Sequence, residues 1–525
     1  NMDTTVAPGD NFFLYASGNW IKHTDIPPSE SVWGSFYTLA DDNQKNIKKL
    51  VEDLAANQNK QGSNEQKVAD LYLSGMDTVT IEKIGYEPIK PLLAKIDAVK
   101  NYKDLLNVAS DGYKDGDGAL FGMWVGPDDK NSAKNVVNLA QTGLGLPNRD
   151  YYFNTDSASQ NIRKEYIKYI ANLLTLTGAD QGVAIKQAMD VLVLETKIAA
   201  SHLTPAELRD PVKNYHKYAL TDFQKQVPNI DLANVFTRML IKTDTVIVGQ
   251  PQYYKALNDL LKSQAIETWK TKLKFGVLSS AAPHLNKAFS DANFHFYGQV
   301  LSGQKVQKER WKRMIRVIDG GLGELLGQLY VANYFKPEAK DRMLQLVNNL
   351  QAVYKARIEQ LDWMSPETKQ SALGKLASFT KKIGYPDKWK KYDDVDINRT
   401  AYYKNMQAID RHNYKEMIDK LGKPVDRTEW GMTPATVNAY YNPSFNEIVF
   451  PAGILQFPFF DFDADEAINY GAIGAVIGHE MTHGFDDQGR QYDKAGNLKD
   501  WWNKADADKF KVKAQLVVDQ YNKYT

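Results

Sequence analysis

Residues 476–487 read Val476-Ile477-Gly478-His479-Glu480-Met481-Thr482-His483-Gly484-Phe485-Asp486-Asp487, and the reading of this stretch governs the rest of the chain. His479 and His483 stand four residues apart, so on a helix both imidazoles project from one face with Glu480 one residue round. Two neutral imidazoles in that register are two ligands for one metal ion, and the glutamate beside them is placed to act as a base. The pattern predicts a helix carrying a hydrolytic site for one Zn2+. Such a site needs a third protein ligand and a water; zinc lowers the pKa of that water and polarises the scissile carbonyl, while Glu480 takes the proton. Asp486 and Asp487 follow His483 by three and four residues. Either one of them orients an imidazole, or both are helix-terminal acids facing water.

Upstream, Asp463 or Asp465 is expected to cap one helix running through Ala467, Ile468, Ala472, Ala475, His479 and His483. Its small residues, Gly471, Ala472, Gly474, Ala475 and Gly478, are expected to let it pack closely against neighbours. Before it, 436–441 and 447–451 flank a turn at Asn442-Pro443-Ser444 and read as the two strands of a hairpin. A sheet edge can hold an extended peptide through backbone pairing. Asn438, whose amide both donates and accepts, is the candidate clamp, with Ala439 leaving space for the peptide backbone. Asn438 reads equally well as an ordinary turn-proximal residue. Most of the first 350 residues carry helical periodicity, as in Ile162, Tyr166, Ile167, Ile170 and Leu174. A small hairpin is expected over 120–125 and 136–139.

At 525 residues the chain is long enough for two or more domains. Its 65 basic and 64 acidic residues leave a net charge of +1, which argues against a nucleic-acid partner. There is no cysteine, so disulfides, thiol nucleophiles and Cys-zinc sites are excluded and any metal must be held by His and carboxylates. No uninterrupted apolar run reaches the roughly 18 residues of a membrane span. The opening Asn1-Met2-Asp3-Thr4-Thr5 lacks the regions of a signal peptide.

The chain resembles the neprilysin-like metallopeptidases (neprilysin, the endothelin-converting enzymes, bacterial oligopeptidases) along nearly its whole length. The resemblance is carried by residues 10–20 (DNFFLYASGNW), 143–152 (GLGLPNRDYY), 310–313 (RWKR), 362–364 (DWM), 382–387 (KIGYPD), 437–441 (VNAYY) and 450–456 (FPAGILQ), joined to 476–487. It implies a mainly α chain with a small α+β portion: a thermolysin-like catalytic domain facing a larger all-helical capping domain, the two enclosing a cavity that admits oligopeptides. On this basis residues 1–30 join the catalytic domain, 31–340 form the capping domain and 341–525 the catalytic domain. The resemblance further implies zinc held by His479 and His483, Glu480 as base, substrate backbone held by Asn438 and Ala439, and cleavage of oligopeptides on the amino side of hydrophobic residues. An extracytoplasmic location is implied too, and Ser17, standing where animal relatives carry cysteine, fits a bacterial member.

One departure qualifies this. The third zinc ligand of the family is a glutamate in an E-N-x-x-D motif several tens of residues after the second histidine, and no such motif precedes Thr525. The chain is therefore expected to be a fragment truncated before that ligand (a proteolysed form, a deliberate truncation, or one piece of an enzyme completed by a companion C-terminal fragment), with weakened zinc affinity and little turnover alone. The alternative is a non-catalytic peptide-binding or adhesion protein that keeps the cavity.

Overall fold

The computed structural model describes residues 1–116 and 120–524. Helices dominate, and their starts follow local chemistry. Asp156 accepts from the Ser159 N–H to cap Ser157–Thr175, Asp180 caps Gln181–Ala199, and Ser63 caps Asn64–Met76. The apolar interior falls into three clusters. One lies within residues 89–296, joined by Tyr414, and is rich in aromatics such as Tyr166, Trp269, Phe275 and Phe296. A second surrounds the histidine motif and includes Met343, Val347, Phe450, Ile473, Ile477 and Met481. The third brings together Ile47, Val51, Val68 and Leu71 with Ile318, Leu322 and Ile409, from helices on either side of the first cluster in the sequence.

The hairpin expected over 120–139 is present as β1 (Gly122–Asp128) and β2 (Asn131–Ala140), paired antiparallel. It is extended by β3 (Lys217–Ala219) and β4 (Thr245–Val248) into a sheet of order β1-β2-β4-β3, with β4 parallel to β2. The chain is mainly helical, but this span is not all-helical. Strands of three and four residues hold too few positions to display a period of two, which is why the sequence reading omits them. The second sheet comprises β5 (Thr380–Gly384), β6 (Tyr440–Asn442) and β7 (Glu447–Pro451), in the order β5-β7-β6. β7 is buried along its whole length, and β6 is an edge strand.

The helix expected to run unbroken into the histidine motif is two helices, Glu466–Gly471 and Ile473–His483. Asp465 is the cap of the first, accepting from the Ala467 N–H at 2.8 Å. The break falls at Ala472 (φ −105°, ψ −89°), where the following Ile473 N–H leaves the helical ladder and donates to the Phe459 carbonyl at 2.8 Å. Close packing at small residues holds only in part. A Cβ at Gly474 would touch Leu350, whereas at Gly471 and Gly478 it would meet open space.

Within the first cluster, Glu195 is fully buried and organises residues 143–152. Its carboxylate accepts from the Tyr152 hydroxyl (2.6 Å), the Tyr166 hydroxyl (2.8 Å) and the Gly145 N–H (3.3 Å), and it pairs with the buried Lys272 ammonium. Four donors satisfy the carboxylate, which is what makes a charge tolerable there. Lys272→Met is expected to lower stability by about 3–5 kcal/mol because Glu195 is left uncompensated. Urea unfolding measures this, and Lys272→Met with Glu195→Gln should recover part of the loss; a change near zero in the single variant would contradict the account.

Candidate active site

The helix Ile473–His483 divides cleanly by face. Ile473, Gly474, Ile477, Glu480 and Met481 are buried, while Ala475, His479 and Thr482 are exposed and His483 is half-buried. The buried side rests on the helix Pro337–Gln360, and the wet side presents both imidazoles. His479 Nε2 and His483 Nε2 converge to 3.0 Å, with the rings nearly perpendicular. Nitrogens bound to one tetrahedral zinc at about 2.0–2.1 Å lie roughly 3.3 Å apart, so the pair is already close to the spacing of two ligands on one ion.

Asp486 sets the state of His483. Its Oδ2 lies 2.7 Å from His483 Nδ1, which donates the hydrogen bond and leaves the Nε2 lone pair facing His479. Its Oδ1 accepts from the backbone N–H groups of Gln488 (3.0 Å) and Gly489 (2.7 Å), so the carboxylate cannot swing away from the ring without abandoning the turn. That turn folds back hard on the helix end: a Cβ at residue 489 would stand 1.7 Å from the His483 carbonyl oxygen, and only glycine fits. Asp487 points elsewhere. Its two oxygens take Nε and Nη2 of Arg209, at 2.9 and 2.7 Å, in a bidentate pair on an exposed surface.

Glu480 is 5% exposed, and burial pushes its titration up to about 7, opposed by the nearby His483 and by the Tyr441 backbone amide. The latter contact ties Glu480 to β6. Ala439 is buried and Asn438 exposed, and the two immediately precede β6, the edge strand of the sheet. Among the described residues, no group of three His, Cys, Asp or Glu is gathered for a metal, so His479 and His483 stand as two donors with a glutamate beside them.

Three contributors carried no motif. Lys375, 1% exposed, donates through Nζ to the carbonyls of Gly489 (2.5 Å) and Tyr492 (2.7 Å), holding the same turn from behind. The signal for it was present in outline, since Thr368, Ala372, Lys375 and Leu376 form the buried stripe of its helix and a lysine in such a stripe needs acceptors. Arg209 meets Asp487 across 278 residues and leaves no local trace, and the Gly489 close approach, though to the nearby His483, arises from the sharpness of a turn that no motif announces. The turn of the β1–β2 hairpin also reaches this region: the Ser132 N–H donates to Asn497 Oδ1, Ser132 Oγ to the Ala495 carbonyl, and the Tyr492 hydroxyl to Asp129 Oδ1.

Two sequence models of Peptidase family M13 match residues 8–386 and 438–525. The chain belongs to Peptidase family M13. It is 34% identical to the endothelin-converting enzyme homolog of Locusta migratoria over 552 residues, covering 100% of this chain and 75% of that protein. Among solved structures, the zinc metalloprotease Zmp1 of Mycobacterium tuberculosis in complex with inhibitor superposes with a TM-score of 0.96 at 37% identity, covering 100% of this chain and 80% of that one. The open state of the same enzyme gives a TM-score of 0.80 at 38% identity, covering 98% and 80%. The chain is thus a zinc metalloendopeptidase of the M13 type, with that family's mainly helical fold. Zinc suits the donor set: two converging imidazoles, one with its tautomer held by a carboxylate, and no thiolate to favour a softer metal.

In this M13 site the turn should be intolerant of change. Gly489→Ala is expected to cost at least about 2 kcal/mol, because the clash is with backbone, and to lower zinc content, both read by thermal unfolding with metal analysis. Asp486→Asn should fold yet bind zinc about 10–100-fold more weakly. Lys375 gives a pH signature. Burial pushes its ammonium down to about 7 from the ordinary 10.5, so between those values the unfolded chain holds a proton that the folded chain lacks. Stability should fall as pH drops through that window, by roughly 1.4 kcal/mol per pH unit from this one group, and the slope ends below about 7. Lys375→Met should remove that contribution, seen as a flatter dependence of the unfolding midpoint between about pH 7 and 10.

Proposed function

We propose that the residues of this chain serve the hydrolysis of oligopeptides on the amino side of hydrophobic residues, with Glu480 as general base and His479 and His483 as two of the three protein ligands a catalytic zinc requires. The observation that carries this reading is the convergence of the two imidazole nitrogens at 3.0 Å beside a buried glutamate whose proton affinity is raised to about 7. A base of that strength accepts a proton from water and releases it again at neutral pH.

The residues divide the work. His479 and His483 hold the metal, and Asp486 keeps His483 in the tautomer that can bind it. Zinc, when bound, supplies Lewis-acid polarisation of the scissile carbonyl and activation of water. Glu480 removes a proton from water as the oxygen bonds to the carbonyl carbon, then passes that proton to the amine as the C–N bond breaks. The peptide is aligned as an added strand on the free edge of β6, with the Asn438 amide gripping its backbone and Ala439 leaving it room. Residues 1–30 and 341–525 make up the catalytic part and 31–340 the capping part, with Asp487 reaching across to Arg209 of the cap. The greater likeness to the inhibitor-bound relative than to its open state supports a closed arrangement, in which the Arg209–Asp487 pair and the Ser132–Asn497 contacts must part for substrate to enter. The setting we infer is extracytoplasmic and bacterial.

Glu480→Gln tests the central claim. The isosteric amide keeps the fold and cannot accept the proton, so cleavage of a fluorogenic oligopeptide should fall at least about 100-fold while zinc content stays unchanged. Equal turnover by the two proteins would remove Glu480 from the mechanism.

A further inference from the structure

Far from the histidine motif in sequence, residues 308–316 read Lys-Glu-Arg-Trp-Lys-Arg-Met-Ile-Arg and open the helix Arg310–Tyr334. The five cations of this run are treated unequally. Lys308 pairs with Glu30 and Lys312 with Asp41, whereas Arg310, Arg313 and Arg316 have no carboxylate within 4 Å among the described residues. Arg310, Arg313, Arg316 and Lys308 all line one cleft of ≈ 340 Å³, and no acidic residue lines it. A broader cleft adjoins it, sharing Ser290, Gln307, Arg310 and Arg313, and the carboxylates of Glu82 and Asp291 found there are engaged by Lys287.

The guanidinium groups are poorly satisfied for their burial. Arg310 Nε donates to the Gly75 carbonyl at 2.6 Å, and Arg313 Nη1 reaches Ser290 Oγ at 3.2 Å. Arg313 Nε is buried with no hydrogen-bond partner. Both groups are half-buried, and burial lowers the proton affinity of each, with Arg310 adding to the effect at Arg313. Asp291 acts on Arg313 through space in the opposite direction, but its carboxylate is already paired with Lys287. His284 is pushed down to about 4 by burial and by Arg310, so it is neutral, and Tyr402, hydrogen-bonded to it at 2.9 Å, is pushed up by burial and uncharged. Ser290 completes the set. Its Oγ accepts from Gln307 Nε2 (3.3 Å) and Arg313 Nη1 (3.2 Å), which leaves its own proton for a further acceptor.

Like charges held side by side in a half-buried cleft repel, and an unpaired buried donor is costly. A bound anion resolves both at once. We propose that this cleft is a binding site for a phosphate-class dianion, held by Arg310, Arg313 and Arg316 with the Ser290 hydroxyl as a fourth donor. Three fixed positive charges match a dianion better than a single carboxylate, and planar guanidinium forks suit the oxygens of a phosphoryl group. The cleft is larger than inorganic phosphate alone, so the phosphoryl group can be free or the head of a small phosphomonoester. The site sits where the N-terminal segment is fastened, since the Lys305 N–H donates to the Pro28 carbonyl beside the Lys308–Glu30 pair. Occupancy therefore bears on how residues 28–30 are held.

The experiment is isothermal titration of the full chain with inorganic phosphate, glycerol phosphate and acetate, at constant ionic strength, alongside melting curves in each. Saturable binding of a phosphate compound is expected, at least about tenfold tighter than acetate, with a matching rise in melting temperature. The tighter of the two phosphate compounds identifies the source of the group. Arg313→Gln should weaken binding at least about tenfold. Arg316→Ala, at an exposed position that leaves the fold intact, should weaken it by a smaller factor, so the proposal remains testable if the first variant is unstable. Absence of saturable phosphate binding overturns the proposal, as does binding equal to that of acetate or unchanged in both variants.

Discussion

The Asp486 carboxylate is the point on which the metal-binding geometry depends. One oxygen fixes the His483 ring and the other takes two backbone N–H groups of the turn that follows. A free aspartate three residues beyond a histidine has many rotamers, and few of them reach Nδ1. Using the second oxygen to fold the turn removes that freedom before metal arrives, so the entropy of ordering the ligand is settled during folding. The turn is in turn braced by Lys375 from the core side and closed by Gly489 against the His483 carbonyl. A histidine placed at a helix end, where fraying is usual, is thereby held as firmly as one in the middle.

The two adjacent acids that looked interchangeable in sequence have opposite duties. Asp486 turns inward to the imidazole, and Asp487 turns outward to Arg209, 278 residues away. The outward pair is more than half exposed on both sides and is worth at most about 1 kcal/mol. The Ser132–Asn497 and Tyr492–Asp129 hydrogen bonds lie in the same region.

How much of this was legible beforehand follows from the range of each interaction. The histidine helix and the helical character of the first half rest on contacts between near neighbours that periodicity displays. The hairpin is where it was expected, but its first strand is Tyr440–Asn442 and not 436–441, with Asn442 paired to Glu447 and not in the turn. The break at Ala472 was not legible, because its cause is the Phe459 carbonyl claiming the Ile473 N–H. β3 and β4 escaped for want of length. Asp486 and Asp487 could not be told apart, since the difference lies in Arg209 and in the sharpness of the turn at Gly489. The roles of Gly471 and Gly478 were read as close packing on composition alone, and the space around them is a property of the assembled fold.

Two of the buried lysines make the same point in charge. Lys272 meets a carboxylate, so its ammonium has a counter-ion in the interior. Lys375 meets two carbonyls at hydrogen-bonding distance, with Asp486 and Asp493 acting on it only through space. A neutral amine still offers two N–H groups, which is the number of carbonyls to be satisfied, so Lys375 can lose its proton without losing a hydrogen bond. Burial then decides its protonation. A carboxylate in place of those carbonyls would hold the charge more firmly, but a second anion there would compete with Asp486 for the His483 N–H. Bracing the turn with carbonyl acceptors leaves Asp486 as the anion committed to the imidazole, which is the condition the metal site requires.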